Sequence, residues 1–134
     1  MVTRATVSVV PILQVTALPQ PLQVDLGDAA TALAHAAAAA LGEPPNHVWV
    51  TWQTLEPGLY SEGGDAPAAQ PRSTHPPVVR ILAFEGRPPD LVERVLADVA
   101  EAVVRELGLE SGNAFVHWET LRAGTVYTGG RVVR

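Results

Sequence analysis

Apolar residues in this chain recur with two periods, and the order of the periods repeats. Residues 11–18 (PILQVTAL) and 77–84 (PVVRILAF) are short runs rich in β-branched side chains, each opened by a proline, and both predict strands buried on at least one face. After the second run, Val92, Val95, Leu96, Val99, Val103 and Leu107 form a stripe at helical spacing, with Glu93, Arg94, Asp98, Glu101 and Arg105 opposite. Pro88 and Pro89 suit the entry of that helix and Gly108 suits its C-terminal cap. The matching segment after the first run predicts a helix from an N-cap at Asp28 to a cap at Gly42, with an alanine-rich face thin enough for close packing. Closing strands are predicted over 47–55 (HVWVTWQTL) and 113–121 (NAFVHWETL), each followed by a turn and a Gly-Gly pair that reads as a small hairpin or bulge.

A shift of 66 residues, without a gap, superposes the two series. Pro11 falls on Pro77, Gly42 on Gly108, Trp52 on Trp118, and Gly63-Gly64 on Gly129-Gly130. Thirteen of 54 aligned pairs are identical and most lie at element ends, so the chain is two copies of one unit. The expected organisation is a single domain over 1–134. It comprises an N-terminal extension (1–10), a first βαβ unit (11–64), a Pro/Ala/Ser-rich linker (65–76) and a second βαβ unit (77–134). With right-handed crossovers, the fold class is α/β (α+β): a four-stranded mixed sheet with both helices on one face. The Trp and Val content of the other face predicts that another copy of the chain covers it, in a symmetric oligomer.

Composition removes several function classes. At 134 residues, 47% hydrophobic and 17% charged, the chain has enough apolar material for one core, and no aliphatic run is long enough to span a bilayer. A net charge of -5 with nine dispersed basic residues argues against a nucleic-acid partner. There is no cysteine, which excludes disulfides, thiolate metal sites and cysteine nucleophiles. The four histidines share no ligand spacing, so no metal is expected, and no cofactor motif is present. The first ten residues do not read as a secretory signal, so a cytoplasmic location is expected. Every basic residue is arginine, and Ala and Val dominate, a bias that suggests GC-rich coding.

Residues 77–108 followed by NAFVHWETLRAGTVYTGG resemble the tautomerase superfamily, especially the 4-oxalocrotonate tautomerase subunit. The features that carry the resemblance are the strand-opening proline, Glu85-Gly86-Arg87 at the strand end, the amphipathic helix, the second strand and the glycine-rich turn. The fused two-unit length resembles the cis-3-chloroacrylic acid dehalogenase branch. This resemblance implies a cofactor-independent isomerase assembled as a homotrimer and acting on a small 2-oxo or 2-hydroxy carboxylate. It also implies that Arg87 grips the carboxylate and that the secondary amine of an N-terminal proline is the acid or base. Pro11 occupies that place. Ten residues precede it, however, and a proline within a chain has an imide nitrogen without useful basicity. A GTG start at Val10 followed by methionine removal yields a chain beginning at Pro11, whereas the strand-like TVSVV favours a real extension.

The resemblance also places His35 near a substrate-binding histidine and His117 where a tyrosine helps to activate water. Histidine is competent as acid or base near neutral pH. Trp118 and Tyr127 are candidate substrate contacts. Trp118, with Trp49 and Trp52, reads either as a pocket wall or as sheet and interface core. Three positions depart from the dehalogenase pattern. Phe84 stands for a second arginine, Thr128 for the acid before the last Gly-Gly, and Pro19-Gln20-Pro21 for the first Glu-Gly-Arg. These departures argue against dehalogenation or hydration. A non-catalytic binding or assembly protein and an enzyme with a histidine base are the alternative readings.

Overall fold

In the computed structural model the described residues are 11–134, and the expected extension over 1–10 lies outside them. The chain runs β1 (Ile12–Ala17), α1 (Leu26–Leu41), a 3-10 turn (Pro45–His47), β2 (Trp49–Thr54), β3 (Val78–Phe84), α2 (Pro89–Leu107), β4 (Phe115–Leu121), β5 (Val126–Thr128) and β6 (Arg131–Val133). The first four strands form one mixed sheet in the order β2-β1-β3-β4. Both crossovers are parallel and share one register, Ile12 opposite Trp49 and Val78 opposite Phe115. The two units meet through an antiparallel β1–β3 pair in the middle of the sheet.

Alternation decides which face is covered. Leu13, Val15 and Ala17 on β1, with Val79, Ile81 and Ala83 on β3, are all fully buried. Leu13, Val15, Val79 and Ile81 pack against Leu33 and Ala37 of α1 and Val95, Val99 and Val103 of α2 in one core, so both helices cover the same face. Burying each of these larger aliphatic side chains is worth about 1.5–3 kcal/mol. The opposite face presents Ile12, Gln14, Thr16, Val78, Arg80 and Leu82 in its centre, with the exposed rings of Trp49 and Phe115 at its two edges.

The helix boundaries follow capping chemistry. Asp25, not Asp28, is the N-cap of α1: its carboxylate accepts the Asp28 backbone N–H at 2.9 Å, and Asp28 lies in the first turn. Both aspartates are competent caps, and the fold selects the earlier one. Gly42 and Gly108 both end their helices in the left-handed region at φ 70° and 68°, where a side chain is strained. Gly129-Gly130 is the turn of a β5–β6 hairpin, whereas Gly63-Gly64 supports only an isolated Glu62–Asp65 bridge.

The 65–76 stretch has no helix or strand, but its carbonyls are tied down. Gln70 Nε2 donates to the carbonyls of Pro71 and His75 at 2.9 Å, and Gln70 Oε1 accepts from Gln20 Nε2 at 3.1 Å. From the second unit, Asn113 Nδ2 donates to the Arg72 and Thr74 carbonyls at 3.0 Å. His75 is fully buried at φ 51°, with its ring edge-on to Tyr60. Its Nε2 lies 2.7 Å from the Asp65 carbonyl, which can only accept, so Nε2 carries the proton and Nδ1 accepts from the Thr74 hydroxyl.

Two stability predictions follow from this knot. His75→Ala removes both ring hydrogen bonds and leaves a cavity, and should lower unfolding free energy by about 2–4 kcal/mol in urea. A cost below about 0.5 kcal/mol would show that the knot is not structural. Burial, with the Glu62 carboxylate adding, raises the Tyr60 phenol above its ordinary 10.0. A raised value in the folded state means that its contribution is complete below pH 10 and is lost as pH climbs through the folded value. Tyr60→Phe should therefore cost about 1 kcal/mol at neutral pH through the lost bond to the Pro76 carbonyl. That deficit should shrink in urea titrations above pH 10; a deficit constant with pH would contradict the assignment.

Candidate active site at the second strand end

Where β3 leaves the sheet, three successive residue choices shape a cavity of about 340 Å³. Phe84 ends the strand, and Gly86 turns the chain at φ 110°, a conformation closed to most side chains. Pro88 and Pro89 then start α2, with Pro89 in its first turn and no side-chain cap on the helix. Arg87 is thus held between the sheet and the uncapped helix N-terminus. It is half-buried, and its Nη1 donates to the Phe84 carbonyl at 3.3 Å. The guanidinium and the positive end of the helix dipole both favour an anion here.

The rest of the wall comes from β4 and the first turns of α2. Trp118 and Thr120 project from the helix-covered face of β4, and Val92 and Glu93 from α2. Glu85 is engaged elsewhere: its Oε2 accepts the Ala123 N–H at 3.3 Å and its own N–H donates to the Leu121 carbonyl, clamping β4 beside the cavity. Glu93 is exposed to the cavity mouth, and no hydrogen bond or ion pair holds it among the described residues.

Of the candidates from sequence, the structure brings Arg87 and Trp118 into this cavity. Pro11 lies at the same end of the sheet, because Ile12 opposes Leu82 in the antiparallel pair and Pro11 precedes it. Its ring is fully buried and its carbonyl accepts from Trp49 N at 3.1 Å; it does not line the cavity. Pro77, equally buried, makes the same bond to Phe115 N at the other end. His117 lies on the opposite face of β4 from Trp118, exposed beside Arg80. Arg80 Nη2 donates to both carboxylate oxygens of Glu119, at 2.9 and 3.0 Å. His35 is exposed on α1, in a broad outer groove between the helices shared with Asp28, Asp98 and Glu101. Tyr127 sits on the hairpin, 70% exposed. No group of metal-binding side chains occurs among the described residues.

Sequence reasoning missed Glu93 and Thr120. Pro88 and Pro89 mark the helix entry in the sequence, so position 93 is readable as lying in its first turns; that it borders the Arg87 cavity depends on how α2 packs against the sheet.

No protein-family model and no curated protein matches the chain. Solved structures do. A native fused 4-OT superposes with a TM-score of 0.79 at 20% identity, over 90% of this chain and 94% of that one. A wild-type fused 4-OT described as a symmetric trimer gives 0.77 at 17%, over 91% and 94%. N1, a member of the cis-3-chloroacrylic acid dehalogenase family, gives 0.73 at 16%, over 92% and 83%. The chain therefore has the tautomerase-superfamily fold in its fused, two-unit form.

If the cavity is an anion site, a 2-oxo acid should change tryptophan fluorescence, and Trp118→Phe should remove most of that change. Arg87→Ala should weaken binding at least tenfold, and Arg87→Lys should recover only part of it, since an ammonium lacks the two-pronged geometry. Unchanged affinity in the alanine variant would take Arg87 out of the site.

Proposed function

We propose that this protein is a cofactor-independent tautomerase-like enzyme that acts, as a homotrimer, on a small 2-oxo or 2-hydroxy carboxylic acid. The observation that carries the reading is the asymmetry of the two sheet ends. Antiparallel pairing of β1 and β3 puts Pro11 at the end with Arg87, while Pro77 lies at the end where the uncharged Pro19-Gln20-Pro21 stands in place of Glu85-Gly86-Arg87. Only one end combines a strand-opening proline from one unit with a cation from the other.

In this reading Arg87 binds the substrate carboxylate through paired N–H donors, and Trp118 flanks the carbon chain. When Pro11 is the first residue, its ring nitrogen is a secondary amine with an ordinary value near 8, lowered by apolar surroundings and the nearby guanidinium. The neutral amine takes the proton of the 2-hydroxyl of an enol acid, and the resulting ammonium returns one to C3. No electron or group leaves, so no cofactor is needed. With residues 1–10 attached, the same nitrogen is an imide and this route is closed. That single fact favours the second reading, a non-catalytic member that keeps the fold to bind or assemble. His117, opposite Arg80 in the middle of β4, and His35, in the outer groove between the helices, lie away from the sheet end that Pro11 and Arg87 share, so neither receives a role in the proton transfer. Tyr127, 70% exposed on the β5–β6 hairpin, does not line the cavity either.

The fused 4-OT structures described as trimers, and the exposed Trp49 and Phe115 on the uncovered sheet face, support a trimer here. Light scattering should give about three times 14.2 kDa; a mass of one chain at micromolar concentration would exclude it. The catalytic test compares the 134-residue chain with a form beginning at Pro11, using phenylenolpyruvate ketonisation. The shorter form should be at least a hundredfold faster. If it assembles identically yet stays at the buffer rate, the proline assignment fails and the non-catalytic reading stands.

A further inference from the structure

We propose that the Arg87 cavity is specific for monoanionic acids with an apolar tail, and that Glu93 is the residue that excludes dianionic ones. This rests on the reading of Arg87 as a carboxylate-binding group and adds the substrate class.

Charge arithmetic at the cavity motivates it. One cation, Arg87, faces two carboxylates, Glu85 and Glu93, so the wall is net negative before any ligand enters. A single ligand carboxylate on Arg87 is tolerated because the guanidinium and the α2 N-terminus are its nearest charges. A second ligand carboxylate has no cation left to meet. Glu85 is drawn toward the β4 end by the Ala123 N–H, whereas Glu93 stands free at the mouth. It is therefore Glu93 that a second negative charge would approach. The remaining wall, Trp118, Val92 and Phe84, offers apolar and aromatic surface suited to an alkyl or aryl tail.

The internal repeat supplies a contrast. Under the 66-residue shift Glu93 corresponds to Gly27, Arg87 to Pro21 and Gly86 to Gln20. At that first-unit corner Gln20 Nε2 donates to the Leu18 carbonyl and to Gln70 Oε1, so a hydrogen-bonded amide stands where the second unit has only the backbone of Gly86, and the cavity of about 490 Å³ beside it, lined by Pro21, Gln70, Arg72 and Arg105, takes its cations from outside the first unit. The arginine and the glutamate thus occur together in the second unit, and their equivalents in the first, Pro21 and Gly27, carry neither charge. A paired appearance of this kind fits a site that reads ligand charge.

The experiment measures dissociation constants on the full chain by calorimetry at low and high salt, with phenylpyruvate as the monoanion and 2-oxoglutarate as the dianion. Wild type should bind phenylpyruvate at least tenfold more tightly at low salt, with the ratio shrinking at high salt as the exposed Glu93 charge is screened. Glu93→Gln should strengthen 2-oxoglutarate binding by about fivefold or more while leaving phenylpyruvate within twofold, a ligand-charge dependence that a purely structural role would not produce. Arg87→Ala should weaken both ligands. If Glu93→Gln leaves the ratio unchanged while Arg87→Ala still weakens both, the specificity proposal is overturned and the carboxylate reading survives. If Arg87→Ala changes neither affinity, or wild type binds neither acid, the carboxylate reading falls and takes the proposal with it.

Discussion

The antiparallel pairing of β1 with β3 is the contact on which everything else in this chain depends. Each βαβ unit brings one helix and two parallel strands, too little to bury its own apolar face. Joining the two central strands makes one sheet broad enough for both helices. The register is self-consistent under the repeat: Gln14 and Arg80 are equivalents under the 66-residue shift, and they face each other across the pair. The pseudo-twofold therefore passes between them, where Arg80 Nη1 donates to Gln14 Oε1 at 3.0 Å. A slip of one residue would turn Leu13, Val15, Val79 and Ile81 away from the helices, so burial holds the register.

That pairing also assembles the candidate site. Because the central strands run in opposite directions, the start of one unit lies beside the end of the other. Pro11 and Arg87, 76 positions apart, consequently share one sheet end, and neither unit alone places them together. The symmetry is then broken by side chains. At one end Gly86 and an uncapped helix leave an open cavity with a cation. At the other, Gln20 and Gln70 are joined by an amide hydrogen bond, and the repeat equivalent of Arg87 is Pro21. Duplication supplies two similar corners, and substitution leaves one of them suited to an anion.

The uncovered sheet face has a different balance. Trp49 and Phe115 are repeat equivalents at its two edges, 48% and 56% exposed, and between them runs a polar row with the Arg80–Glu119 pair. Exposed ion pairs contribute little to stability, about 0–1 kcal/mol, so this row is better suited to orienting a contact than to strengthening the monomer. His117 belongs to this face, which is why its proximity to Trp118 in sequence does not carry into space: neighbours in a strand point in opposite directions.

Much of the fold was legible in the sequence because it rests on local and periodic signals. The 66-residue repeat, the two strand-opening prolines, the helical stripe of α2 and the capping glycines Gly42 and Gly108 each encode backbone geometry directly, and the order of elements followed from them. The first helix began three residues earlier than expected because Asp25 and Asp28 are both competent caps and only the folded chain shows which carboxylate meets the N–H. What the sequence could not decide was distance between elements. The pairing of Arg87 with Trp118 in one cavity, the isolation of His35 and His117 from it, the capture of the 65–76 stretch by Gln70 and Asn113, and the presence of Glu93 at the mouth all depend on how strands and helices pack. Side-chain alternation and helix periodicity determine which face a residue occupies; only tertiary packing determines what that face meets.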